Sequence, residues 1–230
     1  MAGKQIVWDK TSERLYRTGV DRVVLFPQNN ANGTYGIGVG WNGITKISES
    51  PDGGDTTAVY ANNGIYLNLV AKENFKGSIS AYTYPKEWEL CDGSASILAN
   101  GSSAVKGLRV TGQQRVPFGL AYRTLIGNDT QGTDHGYELH LVYNATAGVS
   151  SLDYQTVNDS PEALELSWDF STLPVDVPGA KPSAHLVISS LTADPTAFKK
   201  LEDKLYGTET LDPALPLPQE VITLLGGVGG

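Results

Sequence analysis

The sequence predicts a mainly β (α+β) protein, in which two packed antiparallel sheets form a β-sandwich or barrel-like body with one flanking helix and a short C-terminal helix. Most of the chain alternates apolar and polar residues with a period of two, the pattern of half-buried strands. The 230 residues include 26 Gly and 12 Pro, which punctuate turns. Helical spacing with clear start and stop signals is confined to the C-terminal part.

The clearest strand covers residues 163–170, where Trp168 and Phe170 point to one face and Ser167 and Asp169 to the other. This alternation is typical of an antiparallel sheet with one buried face. In chain order the predicted strands are residues 22–26, 35–47, 64–71, 75–84, 114–126, 137–143, 163–170 and 184–190.

Two pairs of consecutive strands are predicted to be neighbours. Residues 64–71 should pair with 75–84 through a tight turn. Residues 114–126 should pair with 137–143 through the polar loop 127–136, because sequential strands usually lie side by side.

The best helix is Pro195–Tyr206. Asp194 is a suitable N-cap, Pro195 occupies the first helical position and Gly207 ends the helix. Its apolar residues recur at three- and four-residue spacing, which predicts that one face packs on a sheet; they are Phe198, Leu201 and Leu205. A single helical turn at 85–90 and a short helix at 218–225 are also predicted, the latter followed by a Gly-rich tail.

Long loops are predicted at about residues 48–57, 99–112 and 172–182. Loops of this length in a compact domain usually have a function. We expect one domain spanning residues 1–230, with a mainly β core at 1–190 and a helical segment and tail at 191–230, since the last segment is too small to fold alone.

The formal net charge is −8 and the pI is about 4.8. An acidic surface disfavours binding to nucleic-acid phosphates, because that affinity comes mainly from Lys and Arg. The single cysteine, Cys91, excludes an intrachain disulfide. No apolar signal stretch or membrane-spanning run is present, so we expect synthesis in a cytosol and no membrane contact.

The sequence predicts no catalytic residue, no cofactor and no metal site. His135 and His140 should face opposite sides of a strand, and His185 is expected to be an ordinary sheet histidine. Cys91 has only acidic close neighbours, which does not favour a reactive thiolate. An enzyme using Asp134 and His135 is the weakest alternative, since no nucleophile stands at a recognised spacing.

Two further possibilities stay open. The acidic clusters at Asp52/Asp55 and at Asn128/Asp129/Asp134 lack the alternating ligands of a calcium loop, so solvated acidic loops are favoured over the alternative of a weak ion site. The four tryptophans and eleven tyrosines make a carbohydrate-binding β-sandwich module the main alternative function. Aromatic residues on strands more often pack in cores.

Several segments resemble the major tail protein, or tail tube protein, of long-tailed, non-contractile bacteriophages, and the likeness covers nearly the whole chain. The segment that carries most of it is residues 119–143, GLAYRTLIGNDTQGTDHGYELHLVY. The other matching segments are FKGSISAYTYP at 75–85, LCDGS at 90–94, VNDSPE at 157–162 and LYGT at 205–208.

The resemblance implies a structural virion protein rather than an enzyme. Six subunits would form a ring, and rings would stack into a tube whose acidic lumen conducts double-stranded DNA without binding it specifically. The long loop after the Trp41 strand would contact the next ring, through Glu49, Asp52, Asp55 and Thr57. Implied partners are the tape measure protein, the distal tail or tail tip and tail terminator proteins, and tail assembly chaperones. Assembly would take place in the host bacterial cytoplasm.

Overall fold

A computed structural model describes residues 6–29, 33–94, 98–99, 103–105, 107–157, 159 and 162–226. Within these ranges, twelve strands and three helices occur. In chain order they are β1 (Leu15–Pro27), β2 (Val39–Gly40), β3 (Ile44–Glu49), β4 (Thr56–Ala61), β5 (Gly64–Val70), β6 (Lys76–Ala81), α1 (Trp88–Asp92), β7 (Leu98–Ala99), β8 (Ser103–Ala104), β9 (Phe118–Asn128), β10 (Gly132–Ala147), β11 (Leu166–Thr172), β12 (His185–Ser189), α2 (Pro195–Tyr206) and α3 (Pro218–Leu224).

Eight strands form one antiparallel sheet in the order β2-β1-β9-β10-β11-β6-β3, with β12 paired to β10 outside this path. Strands β4 and β5 form a separate two-stranded sheet, as do β7 and β8. The mainly β, antiparallel fold class with flanking helices is therefore confirmed. Among the described strands the sheet does not close into a barrel.

Strand β10 divides the large sheet into two layers. Its first part pairs with β12 from Glu138 to Val142, and its last part pairs with β11 from Ala145 to Ala147. Between the two, Asn144 has a positive φ of 47° and the register with β9 shifts, which bends the strand. The bend carries β11, β6 and β3 over the face of β1 and β9.

The space between the two layers is filled by the first hydrophobic core, in which Leu25 and Leu120 of one layer meet Ile79 and Phe170 of the other. Three buried tryptophans stand at its centre, with ring centroids 4.6 to 5.7 Å apart; they are Trp41, Trp88 and Trp168. Such tilted and edge-to-face aromatic contacts add to the stabilisation from burial.

The second hydrophobic core lies on the opposite face of β1, β9 and β10, where the helices pack. Helix α2 has the predicted bounds, and its three apolar residues are buried. The Asp194 carboxylate accepts a hydrogen bond from the Ala197 backbone N–H at 2.9 Å, as expected of an N-cap. Helix α3 adds Val221 to the same core.

Two predicted strand assignments were wrong. The strand expected at residues 35–47 is interrupted, because Gly43 has φ of +76° and turns the chain between β2 and β3. Strand β5 pairs with β4 rather than with β6. Asn62 and Asn63 both have positive φ, and this conformation favours a two-residue hairpin turn that joins β4 directly to β5.

Other boundaries differ by a few residues. The polar loop predicted at 127–136 is mostly strand, since β9 and β10 continue to a tight turn at residues 129–131. Helix α1 begins at Trp88 instead of Pro85. The predicted loop 48–57 contains the end of β3 and the start of β4, whereas 173–182 has no helix or strand.

Some predicted features lie outside the described residues. These include part of the loop predicted at 99–112, the residues 160–161 of one resembling segment, and the tail from residue 227 onward. No described helix combines the length and the hydropathy needed to cross a lipid bilayer.

Candidate functional site

The β4–β5 hairpin exposes an apolar face. Directly paired residues place their side chains on the same face of a ribbon. Val59 is paired with Leu67, and Leu69 lies on the same side of β5 as Leu67, whereas Tyr60 pairs with Ile65 beyond a register shift. The side chains of Tyr60, Ile65, Leu67 and Leu69 are between 40% and 68% exposed. We call these five residues the hairpin face.

The side of β5 opposite to Leu67 and Leu69 carries the polar residue Asn68 between the exposed residues Tyr66 and Val70. Asn68 pairs with Ala58 and lies between Leu67 and Leu69 in sequence, so its side chain points away from the hairpin face. The hairpin contributes no residue to the buried part of either hydrophobic core. Its apolar surface is consequently not required to hold the two layers of the fold together.

The base of the hairpin is held by three contacts. The backbone groups of Asp52 and Asn74 exchange hydrogen bonds at 2.8 and 2.6 Å. The Asp52 carboxylate also pairs with the Lys76 ammonium at 2.5 Å, and this hydrogen bond and charge hold the pKa of Asp52 below its usual range. The backbone N–H of Ala71 donates to the carbonyl of Asp55 at 2.8 Å.

The four predicted contact residues therefore occupy different elements. Asp52 and Asp55 lie in the connection between β3 and β4, and Thr57 lies in β4 opposite Leu69. Glu49 is the last residue of β3. Its side chain contacts a cluster of aromatic and histidine residues, which separates it from the other three.

In this cluster, Glu49 meets two histidines from neighbouring strands. The Nδ1 atom of His140 in β10 lies 3.3 Å from Glu49 Oε1 and 3.1 Å from Nε2 of His185 in β12. The donor atoms of all three residues lie within 4.8 Å of one another. Two imidazoles and one carboxylate are ligands that transition metal ions accept.

Rings stack on both sides of the histidines. The Tyr122 ring lies 4.5 Å from the His140 ring at an angle of 7°, and the Phe75 ring lies 4.2 Å from the His185 ring. The Tyr122 hydroxyl donates to Glu49 Oε1 at 2.6 Å. Burial, followed by this hydrogen bond to a carboxylate, raises the pKa of Tyr122 strongly.

Burial also decides the charge of the histidines. It lowers the pKa of His140, although the Glu49 and Glu138 carboxylates oppose the shift, and it lowers the pKa of His185 to about 4. Both imidazoles are therefore neutral at pH 7, the form that binds metals. We call Glu49, His140 and His185 the histidine cluster.

Sequence analysis did not bring these three residues together. His140 and His185 are 45 positions apart, and their proximity follows from the β10–β12 register, in which His140 opposes Val187 and Val142 opposes His185. No local signal predicts that register. The alternation that places His140 on the face of β10 opposite to Leu139 and Leu141 was the one available indication.

The remaining candidate residues have structural contacts. His135 Nδ1 lies 2.7 Å from Gln131 Oε1 and 3.2 Å from Asn128 Nδ2, and no hydrogen bond joins it to Asp134 among the described residues. Asn128 Oδ1 accepts backbone hydrogen bonds that close the β9–β10 turn. Asp129 pairs with Arg14 and accepts from the Ser12 N–H.

Most of the tryptophans also pack inside the protein. Three of the four tryptophans are buried in the first core, and only Trp8 is exposed. The tryptophans that suggested a sugar groove are thus mostly unavailable to a ligand. Cys91 is buried as well, and burial together with the nearby Asp92 charge raises its pKa to about 12.

Fold and surface together define a two-layer antiparallel β-protein with flanking helices and an exposed apolar hairpin.

No protein-family model and no curated protein matches the chain. Among solved structures, it is similar to the cap of the anti-feeding prophage, the AFP tube terminating cap, with 10% identity and a TM-score of 0.40. That alignment covers 82% of this chain and 97% of the other.

A second similar structure belongs to the sheath–tube complex, in the extended state, of the extracellular contractile injection system PVC. The identity is 13%, the TM-score is 0.37, and 74% of this chain and 88% of that chain are covered. Both neighbours come from contractile or prophage assemblies that contain a tube, and neither is described as part of a non-contractile phage tail.

Proposed function

We propose that this chain is a structural subunit of a phage-type tail tube, which assembles into hexameric rings that stack. The observation that carries the proposal is the exposed hairpin face of Val59, Tyr60, Ile65, Leu67 and Leu69. The sequence resemblance to tail tube proteins of non-contractile phages supports the same assignment.

The physical argument starts from the hairpin's own stability. An isolated two-stranded hairpin is marginally stable in water and needs a third strand or a packing surface. Apolar patches left exposed on a subunit usually mark a protein contact. Burying one leucine fully contributes about 1.5–3 kcal/mol, so a few such residues per subunit stabilise a ring of identical copies substantially.

The open edges of the large sheet support the same conclusion. Strands β2 and β3 end the main path of the sheet, and β12 has β10 as its only partner strand in the described structure. Free strand edges promote pairing with another chain. A closed ring removes such edges because each subunit covers the next.

In this proposal, the residues between β3 and β4 contact the adjacent ring through Glu49, Asp52, Asp55 and Thr57. Asp52 and Asp55 are exposed and next to the hairpin base, which suits that role. The Glu49 carboxylate already contacts His140 and Tyr122, so it would contribute less than the other three residues to a contact between rings.

The net charge of −8 suits a conduit for DNA, since like charges repel and a wall of this kind does not retain DNA. The proposed partners are then the tape measure protein in the lumen, the tail tip and distal tail proteins, the tail terminator and tail assembly chaperones. The proposed location is the virion tail, after assembly in the host bacterial cytoplasm.

Negative-stain electron microscopy of the purified protein across a concentration series tests the proposal. We expect hollow tubes or six-fold rings for the unmodified chain. Leu67→Lys should prevent them, because a charge would be buried at the contact. The matched control is Asn68→Lys, which adds the same charge one residue away on the opposite side of the hairpin.

Circular dichroism and thermal melts should be alike for both variants, since neither residue belongs to a core. Tubes from Leu67→Lys as readily as from Asn68→Lys would contradict the role of the hairpin face. A stable monomer that neither assembles nor joins tubes in the presence of tail tips would contradict the tail tube assignment.

A further inference from the structure

We propose that Glu49, His140 and His185 bind one divalent transition metal ion of the Zn²⁺ type. The inference is independent of the proposed tail function. It concerns residues from three strands, β3, β10 and β12, that belong to both layers of the fold.

The separations between donor atoms carry the argument. In tetrahedral sites the Zn–N distance is about 2.0–2.1 Å, and the edge of such a tetrahedron is about 3.3 Å. His140 Nδ1 lies 3.1 Å from His185 Nε2 and 3.3 Å from Glu49 Oε1. These separations are close to the edge of one tetrahedron, so a common ion would replace the hydrogen bond between the imidazoles.

Neighbouring groups orient these ligands. Thr124 Oγ1 lies 2.9 Å from His140 Nε2, so it can accept a hydrogen bond from the Nε2–H and leave Nδ1 free to bind an ion. The Tyr122 hydroxyl donates to Glu49 Oε1 at 2.6 Å and orients the carboxylate. Hydrogen bonds of this kind from a second layer of residues accompany most protein metal sites.

Access and charge also suit a metal ion. A surface pocket of about 270 Å³ is lined by Glu49, Tyr122 and Thr124, and the Glu49 side chain is 38% exposed. The pocket reaches Glu49 and neither histidine, so an ion would enter the cluster from the Glu49 side. The Glu49 carboxylate would supply an anionic ligand beside the two imidazoles.

The donor types select the class of ion. Imidazole nitrogens favour Zn²⁺, Cu²⁺ and Ni²⁺, whereas Mg²⁺ and Ca²⁺ favour oxygen ligands. A bound ion would tie the end of β3 to β10 and β12. Because the hairpin base follows β3 directly, the ion would also anchor the segment from which the hairpin starts.

Isothermal titration of the untagged protein with ZnCl₂ at pH 7.5 tests the proposal. We expect one equivalent of Zn²⁺ to bind with a micromolar or lower Kd and to raise the melting temperature. Glu49→Gln and His185→Gln should each weaken binding at least tenfold. The matched control is His135→Gln, a histidine outside the cluster, which should bind as the unmodified protein does.

Visible absorption of the Co²⁺-loaded protein provides a readout of nitrogen and oxygen ligation that does not depend on stability. Should His185→Gln fail to fold by circular dichroism, Glu49→Gln decides the question, since its side chain is partly exposed. Absence of micromolar Zn²⁺ binding would overturn the proposal. Binding that survives in Glu49→Gln, or that is lost only in His135→Gln, would overturn it equally.

Discussion

The backbone N–H of Asn144 donates a hydrogen bond to the hydroxyl oxygen of Tyr35 at 2.9 Å, across 109 positions of sequence. The Asn144 side-chain oxygen accepts a second hydrogen bond from Gln28 Nε2 at 2.6 Å. Asn144 stands where β10 leaves β12 and joins β11. Tyr35 therefore satisfies a backbone group that the bend of β10 removes from the sheet ladder.

Replacing this hydroxyl should destabilise the fold. We expect Tyr35→Phe to lower the free energy of unfolding by about 1–3 kcal/mol, because the partly buried Asn144 N–H would lose its partner. Urea denaturation measures the change. Tyr154→Phe, at an exposed tyrosine, should change it by less than about 0.5 kcal/mol. Equal stabilities of the two variants would show that water replaces the hydroxyl.

Removing the N-cap of α2 should have a smaller effect. Asp194→Ala is expected to lower the free energy of unfolding by about 1 kcal/mol, since the Ala197 N–H loses its acceptor. Asp212→Ala changes an exposed aspartate outside the helices and is the control. Should both variants have the same urea midpoint, the cap would contribute nothing measurable.

Gly77 in β6 should not tolerate a side chain. A Cβ atom there would lie 2.4 Å from the carbonyl oxygen of Ser48 and 2.7 Å from Cζ of Phe170. Gly77→Ala is expected to lower the free energy of unfolding by about 1–3 kcal/mol through overpacking. At Gly64 an added Cβ meets nothing within 4 Å, so Gly64→Ala is the control. A Gly77→Ala protein as stable as the control would contradict the close approach of β6 and β3.

The Cys91 thiol should be unreactive in the folded protein. Burial and the Asp92 charge raise its pKa to about 12, so only a small fraction of the thiol is ionised up to pH 9. Within this range the ionised fraction rises about tenfold for each pH unit. An ordinary cysteine, with a pKa near 8.5, would approach full ionisation by pH 9.5. Thiol-reagent absorbance should show slow labelling in buffer and one rapid equivalent in 6 M guanidinium.

The raised pKa of Cys91 has a consequence for stability. The unfolded chain loses the thiol proton at lower pH than the folded chain, so folding stability from this group is present below about pH 8.5 and declines as the pH rises above it. Cys91→Ala should reduce this decline of stability with pH.

The labelling experiment has its own contrary outcome. Labelling of the native protein as rapid as that of the unfolded chain would show that the thiol is accessible.

Deleting residues 51–55 tests the proposed contact between rings. We expect the subunit to fold, since these residues are outside both cores, and we expect no tubes by electron microscopy. Replacing the same five residues with a Gly/Ser segment of equal length separates the chemistry of the loop from its length. Normal tubes from the deletion would contradict the contact.

Where a structure depends on neighbours along the chain, the sequence determined it. Helix α2 was predicted to the residue, because Asp194, Pro195 and Gly207 act within one turn of its ends. The alternation around Trp168 likewise predicted the buried face of β11, since side chains of a strand alternate regardless of its partners. Charge, composition and the absence of disulfides follow from the residues themselves.

Tertiary structure decided which strands became partners. The β4–β5 hairpin is an exception, because its two-residue turn at Asn62 and Asn63 is local; sequence analysis had instead placed β5 beside β6. The meeting of Glu49, His140 and His185 depends on the bend at Asn144 and on the β10–β12 register. Such contacts join residues far apart in sequence, and their free energy comes from packing and burial in the assembled layers, which no local pattern encodes.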